Sequence, residues 1–298
     1  MAPRWLRALP LLALGTSLTA MAPAQALVPY AYVPQRQELE GAGLGIAQAA
    51  ARLLQLGQAR DASRLAALTV QLLPDDPRGW LLLAEAQLRS RQLKEASLSL
   101  ARAKQLDPSN AGIWFAEASL ALRDNRAAEA IDLLNQGLRR DPRNASAYFD
   151  LGNAHILLNQ PRQALAAFER AGRLRKNFWE AINNQALVLY EQGDADRAIE
   201  RWRRVLEIKA DAAEPNLALA AALFQRGGTA RQEALKLASQ ALDSEPDYAL
   251  DSYQKEQLWG PRLRQTTQLL LQQPELKADV DRALANANPE DNGNEEPE

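Results

Sequence analysis

The residues that could perform chemistry are sparse and do not converge. Histidine occurs once, at His155, and cysteine is absent, so neither a Cys–His pair nor a thiolate metal site can be assembled. No serine stands in a nucleophile-elbow context. Gly41, Gly43 and Gly45 follow no strand-like run, whereas a phosphate-cradling loop needs a strand before it and a helix after it. The acidic pairs Asp75-Asp76 and Glu295-Glu296 fall in a turn and in a polar tail, where carboxylates are simply solvated. Asn144-Ala145-Ser146 matches a glycosylation sequon in pattern only. Catalysis requires groups of tuned basicity held together. This chain offers no such cluster, and no enzyme, metal site or cofactor is expected of it.

What recurs instead is side-chain size. Ala62, Ala96, Ala130, Ala164 and Ala198 are spaced 34 apart, with Ala234 following after 36. A second series in the same register is Ala50, Ala84, Ala118, Gly152, Ala186 and Ala220. A bulky series, Ile46, Trp80, Trp114, Tyr148 and Ile182, runs beside it and lapses at Asn216. Prolines close the unit at Pro74, Pro108 and Pro142, give way to Lys176 and Ala210, and return at Pro246. The repeats are therefore 43–76, 77–110, 111–144, 145–178, 179–212 and 213–248, the last lengthened by two residues near Gly227-Gly228. A period of this length predicts a stacked solenoid rather than a closed globule.

The residue types fit pairs of helices. Two helices cross closely only where no side chain separates their backbones, so the small residues mark crossings. The large residue four positions upstream, such as Trp114 before Ala118, fills the wedge between hairpins. Asp107-Pro108 and Asp141-Pro142 end one repeat, because proline disfavours a helical residue before it. Asp124-Asn125, Asn159-Gln160-Pro161 and Gln192-Gly193-Asp194 read as turns within repeats. No strand-like alternation occurs, and an all-α chain is expected.

These residues carry a resemblance. Trp114, Ala118, Ala130 and Pro142 in one repeat, and Tyr148, Gly152, Ala164, Phe168 and Ala171 in the next, are similar to the pattern of the tetratricopeptide repeat (TPR) family. The resemblance spans the six repeats and departs from the pattern at Lys176 and Ala210. It implies a right-handed α-solenoid of antiparallel helix pairs whose first helices line a concave, partner-binding face. Carried over position by position, that face comprises Leu81, Glu85, Phe115, Ser119, Phe149, Asn153, Asn183, Leu187, Leu217 and Ala221. Ile156, Tyr190 and Phe224 lie one turn further along. Members that clamp a carboxylate place lysine, arginine and asparagine along this row; here only Asn153 and Asn183 match, so a carboxylate clamp is not expected. An apolar, aromatic row suits a hydrophobic peptide or an amphipathic helix. The alternative is that Phe115 and Phe149 pack between helices. Glu85, His155 and Glu191 are the ionisable residues nearest the face, and His155 takes a position the family uses for packing.

The chain ends predict location. Arg4 and Arg7, the apolar Leu9–Leu18 and Ala24-Gln25-Ala26 have the layout of a secretory signal peptide over residues 1–26. Residues 6–22 serve as a membrane anchor if cleavage fails, and no cysteine follows to carry a lipid. Pro29, Tyr30, Tyr32 and Pro34 favour an extended arm over residues 27–42. Residues 249–287 do not repeat, and read as helices capping the apolar end of the solenoid. Within them, Lys255 to Gly260 resembles a C-terminal element of TPR proteins of the cyanobacterial and plastid thylakoid lumen. The tail 288–298 is acidic and too polar to bury. Net charge is −2 from 35 basic and 37 acidic residues, without the clustered basic surface that nucleic acid requires. The expected protein is an exported, non-enzymatic scaffold or assembly factor holding a polypeptide partner, in a periplasm or thylakoid lumen. The alternatives are a permanent subunit of an envelope or thylakoid complex, and an enzyme of unrecognised type.

Overall fold

The structure, a computed structural model, describes residues 35–287. The expected signal peptide and acidic tail lie outside the described residues, as does the arm up to residue 34. Twelve helices form six successive pairs: α1 (Arg36–Gln55) with α2 (Ala59–Leu72), α3 (Pro77–Arg89) with α4 (Leu93–Leu106), α5 (Ala111–Arg123) with α6 (Ala127–Arg140), α7 (Ala145–Leu157) with α8 (Pro161–Leu174), α9 (Trp179–Glu191) with α10 (Ala195–Ile208), and α11 (Ala213–Arg226) with α12 (Ala230–Ser244). Each repeat interval holds one pair, except that α1 starts ahead of the first interval, and each pair packs on the next to form an α-solenoid. Three shorter helices follow: α13 (Asp251–Glu256), α14 (Pro261–Leu271) and α15 (Lys277–Asn286). No strand occurs among the described residues.

The turns within pairs obey the period more strictly than the side chains do. Gly57, Arg91, Asn125, Asn159, Gly193 and Gly227 all have positive φ and stand 34 apart. A left-handed residue after a helix lets backbone N–H groups return to the last carbonyls and reverses the chain. Glycine and asparagine adopt this conformation at least cost. Gly227 keeps the step of 34, so the extra residues of the sixth repeat come after it.

The junctions between pairs are also tied. Asp76, Asn110 and Asn144 cap α3, α5 and α7, accepting from the backbone N–H groups of Arg78, Gly112 and Ala147. The indole N–H groups of Trp80 and Trp114 donate to the carbonyls of Pro74 and Pro108, at 2.8 and 3.2 Å. Asn216 occupies the same register, where the bulky series lapses. Its amide donates to the carbonyl of Ala210, the residue in the place of the proline, at 3.0 Å. The position thus takes either a donor to the junction, as at Trp80, Trp114 and Asn216, or apolar bulk alone, as at Ile182.

The small residues lie at the crossings. Ala50, Ala84, Ala118, Ala186 and Ala220 are fully buried, as are Ala62, Ala96, Ala130, Ala164, Ala198 and Ala234. A Cβ on Gly152 would stand 2.4 Å from the Phe168 ring.

Two expectations about the ends need correction. The arm does not run extended to residue 42: α1 begins at Arg36. The Glu38 carboxylate accepts from the Gln35 N–H at 2.9 Å, starting the helix directly after the last proline of the segment. The C-terminal helices do more than cap the last hairpin. α15 packs on α12 and on the 3₁₀ turn Pro246–Ala249, as a cap should, but α14 leaves the end of the stack and lies across α9 and α11. No helix among the described residues is long and apolar enough to cross a membrane.

Candidate functional site

The face formed by the first helices is open over the early repeats and filled over the last two. At α9 and α11, Asn183, Leu187, Tyr190, Leu217 and Ala221 were expected to line an open groove; all are buried. The helix α14 packs over α9 and α11 on this face, while Asn183 is enclosed with Trp202 of α10, to which its Oδ1 is bonded. Helix α14 presents Leu263, Thr266, Thr267 and Leu270 inward, an i, i+3, i+4, i+7 face. Its Thr266 Oγ1 lies 3.1 Å from the Tyr190 hydroxyl, which donates to Gln225 Oε1 at 2.5 Å. The Arg262 guanidinium stands over the Tyr190 ring at 5.3 Å. Phe224 is half-buried beneath Arg231.

Glu191 anchors this arrangement. Its carboxylate accepts from the backbone N–H groups of Leu263 at 2.8 Å and Arg262 at 3.2 Å, satisfying the start of α14 where the helix dipole favours an anion. The approach is so close that a Cβ on Gly260 would fall 2.2 Å from Glu191 Cδ. Loss of such a cap costs about 0.5–2 kcal/mol. Glu191→Ala is expected to raise amide exchange across residues 262–271 while α1–α8 keep their protection; exchange unchanged in α14 would show that the helix is held by packing alone.

Over the earlier repeats the aromatic row turns inward. Phe149 packs between Phe168 and Phe178, with ring centroids 5.6 and 5.3 Å away. Phe115 fills the space over Gly137, where a Cβ would meet its ring at 2.3 Å. Leu81 packs toward Gly112 in the same way. These side chains bridge adjacent helices and present only edges to the groove, because a solenoid needs bulk between its first helices as well as between hairpins. The polar positions are also engaged. Glu85 pairs with Arg89 at 2.6 Å, Asn153 accepts from Asn184 at 3.1 Å, and His155 Nδ1 bonds the turn residue Gln160 at 2.7 Å. Ser119 is half-buried. Glu85, His155 and Glu191, the ionisable residues nearest the face, thus each hold a structural contact. Among the described residues no group of three potential ligands could hold a metal ion.

A pocket of about 460 Å³ opens where the free groove meets the C-terminal segment. Ile156 and Leu157 of α7, Leu187 and Val188 of α9, and Leu258, Trp259 and Pro261 make it largely apolar, with Asn184, Gln192 and Lys255 among its polar groups. Leu157 of this lining is 43% exposed, and its neighbour Leu158 along the chain is 37% exposed. Ile156 and Leu187 belong to the row read from the sequence; Leu157, Leu258, Trp259 and Pro261 do not. Only the fold brings residues 255–261 beside residues 156–192.

Two carboxyls of the repeat helices, Asp150 on α7 and Glu214 on α11, are unusually hard to ionise. Burial raises Asp150 to about 6, with the Arg123 charge pulling it back. Burial raises Glu214 to about 7, opposed by hydrogen bonds from Trp259 and Asn183 and reinforced by Glu245. Glu214 as a whole is partly accessible, while its carboxyl is enclosed. Against the ordinary value of 4.5, the folded chain takes up a proton at Glu214. Ionisation there disfavours the fold by roughly 3 kcal/mol, a penalty complete above the folded value and absent below the ordinary one.

Residues 121–182 match the family model described as tetratricopeptide repeat, and residues 186–227 match one described as TPR repeat. No curated protein matches the chain. Similar solved structures include PilF of Pseudomonas aeruginosa, at 19% identity and a TM-score of 0.58, covering 78% of this chain and 98% of that one. PilW, described as a widely conserved type IV pilus biogenesis factor, has 19% identity and a TM-score of 0.55, covering 75% of this chain and 97% of that one. The APC/C hetero-tetramer Cut9–Hcn1 has 17% identity and a TM-score of 0.60, covering 79% of this chain and 48% of that one. At these identities the likeness is one of fold.

Proposed function

We propose that this chain, a tetratricopeptide repeat protein, is a non-enzymatic scaffold or assembly factor that holds a polypeptide partner against the open part of its concave face and in the adjoining apolar pocket. The observation that carries the reading is α14. The chain's own amphipathic helix already lies on the first helices of the last two repeats, burying Leu263 and Leu270 there. A face that accepts one such helix suits another beside it, and the pocket next to the start of α14 offers a seat for apolar side chains. The layout of residues 1–26 supports export across a membrane, to a periplasm or a thylakoid lumen, as the place where this happens.

Leu157 and Leu158 are the natural probes, because their exposure allows substitution without loss of core. The double variant Leu157→Asp, Leu158→Asp is expected to melt with the parent chain yet recover at least tenfold less of any partner that co-elutes with the parent from the native membrane-free fraction. Equal recovery by both chains would move the binding surface elsewhere. Native mass measurement of the complex separates a scaffold from a permanent subunit: a fixed stoichiometry that survives dilution favours the subunit.

A further inference from the structure

One carboxylate on the open face lacks a partner. Asp150 stands on α7 in the place that Asn184 takes on α9, 34 residues further on. Asn184 reaches back to the preceding first helix and donates to Asn153 at 3.1 Å. In the same register Asp150 faces Ser119 on α5, yet no hydrogen bond joins the two. The residue is partly accessible while its carboxyl is enclosed, and among the described residues no hydrogen bond or ion pair reaches it. Arg123, at the exposed end of α5, acts on it only through space. Arg175, which reaches Ser146 one turn before Asp150, is engaged there: it donates to Ser146 Oγ at 2.7 Å and lies over the Phe178 ring at 4.2 Å. Glu180, one turn before Asn184 on α9, adds a second half-buried carboxylate without a partner. An enclosed anion without a donor costs free energy, and functional sites are where such costs collect.

The same helix leads from this carboxylate to the pocket. Asp150, Asn153 and Leu157 form an i, i+3, i+7 stripe along α7. Leu157 lines the pocket, as does Asn184, the donor to Asn153. Seven helical residues rise about 10 Å, which separates the charged end of the stripe from the apolar end.

We propose that Asp150 is the cation subsite of this face: it takes the lysine or arginine of a polypeptide whose large apolar side chain, about 10 Å away, enters the pocket beside Leu157. An extended segment places the two side chains at i and i+3, a helical one at i and i+7. An ammonium or guanidinium there supplies the donors that the carboxylate lacks. Charge complementarity then selects among apolar partners that the pocket alone would accept. The inference rests on the capture reading above and gives the chemistry of what is captured.

Random dodecapeptides displayed on phage, selected in parallel on the whole chain and on Asp150→Asn, test it. Asparagine keeps the side chain's shape and removes a charge that burial disfavours, so the variant is expected to melt no lower than the parent. The parent is expected to enrich peptides with lysine or arginine three or seven positions from a large apolar residue. Asp150→Asn is expected to enrich apolar peptides without the basic residue. In a synthetic peptide from the parent selection, glutamine in place of the basic residue should weaken binding roughly tenfold on the parent and leave it unchanged on Asp150→Asn. Apolar peptides without a basic residue on the parent, or the same basic enrichment on both chains, overturn the proposal and leave capture by the pocket standing. No enrichment on the parent sinks the capture reading and the proposal with it. If Asp150→Asn does not fold, Asp150→Ala takes its place with the same expected outcomes.

Discussion

Aspartate in place of Phe149 is expected to unfold the fourth and fifth repeats. The ring sits between Phe168 and Phe178, at 5.6 and 5.3 Å, and both neighbours are buried. Phe149 itself is half-buried. Truncating a fully buried phenylalanine costs about 3–5 kcal/mol, which sets the upper end here, and a carboxylate facing two buried rings adds a desolvation cost. For a chain of this size about 2–4 °C is lost per kcal/mol, so the melting temperature should fall by roughly 10 °C or more, followed by circular dichroism. The exposed pair Leu157 and Leu158 supplies the contrast, since aspartate there leaves the melt in place. If Phe149→Asp melts with the parent chain, the ring belongs to an open groove and the packing described above is wrong. The sequence alone left both readings open, because groove lining and interhelix filling ask for the same large apolar side chain at the same position.

Leucine at Gly152 is expected to force the fourth hairpin apart. A Cβ alone would come within 2.4 Å of Phe168, which is fully buried and has nowhere to retreat. Overpacking of this kind typically costs about 1–3 kcal/mol, or roughly 2–12 °C here, and a leucine adds three more carbons to the collision. Gly152→Ala should show the same direction with a smaller loss. A leucine variant as stable as its parent would mean that α7 and α8 do not cross at this residue.

The sequence-level reading of Gly152 and the structure agree because a crossing is a local demand. One position on each helix must be small, and the demand returns with every repeat. The turns show the same logic more plainly. The left-handed residues at Gly57, Asn125, Asn159, Gly193 and Gly227 are the types that tolerate that conformation; the turns at Asn125, Asn159 and Gly193 were read from the sequence, and the structure adds Gly57 and Gly227 at the same spacing of 34. Arg91 hides the series, since arginine carries no such signal. Asn216 was misleading in the opposite sense: it looks like a lapse in a bulky row, yet it supplies the same donor to the junction as Trp80 and Trp114.

Side-chain spacing thus established the helices, their pairing and the solenoid, because each of these follows from contacts between neighbours along the chain. The working surface came only with the tertiary structure. Whether α14 would cap the last hairpin or lie in the groove depends on contacts between residues some 70 positions apart, Glu191 with Leu263 and Tyr190 with Thr266, for which no local pattern exists. Five of the thirteen expected lining residues are buried at those last two repeats, and the pocket is built beside them. The same placement also brings Trp259 onto Glu214, 45 residues away.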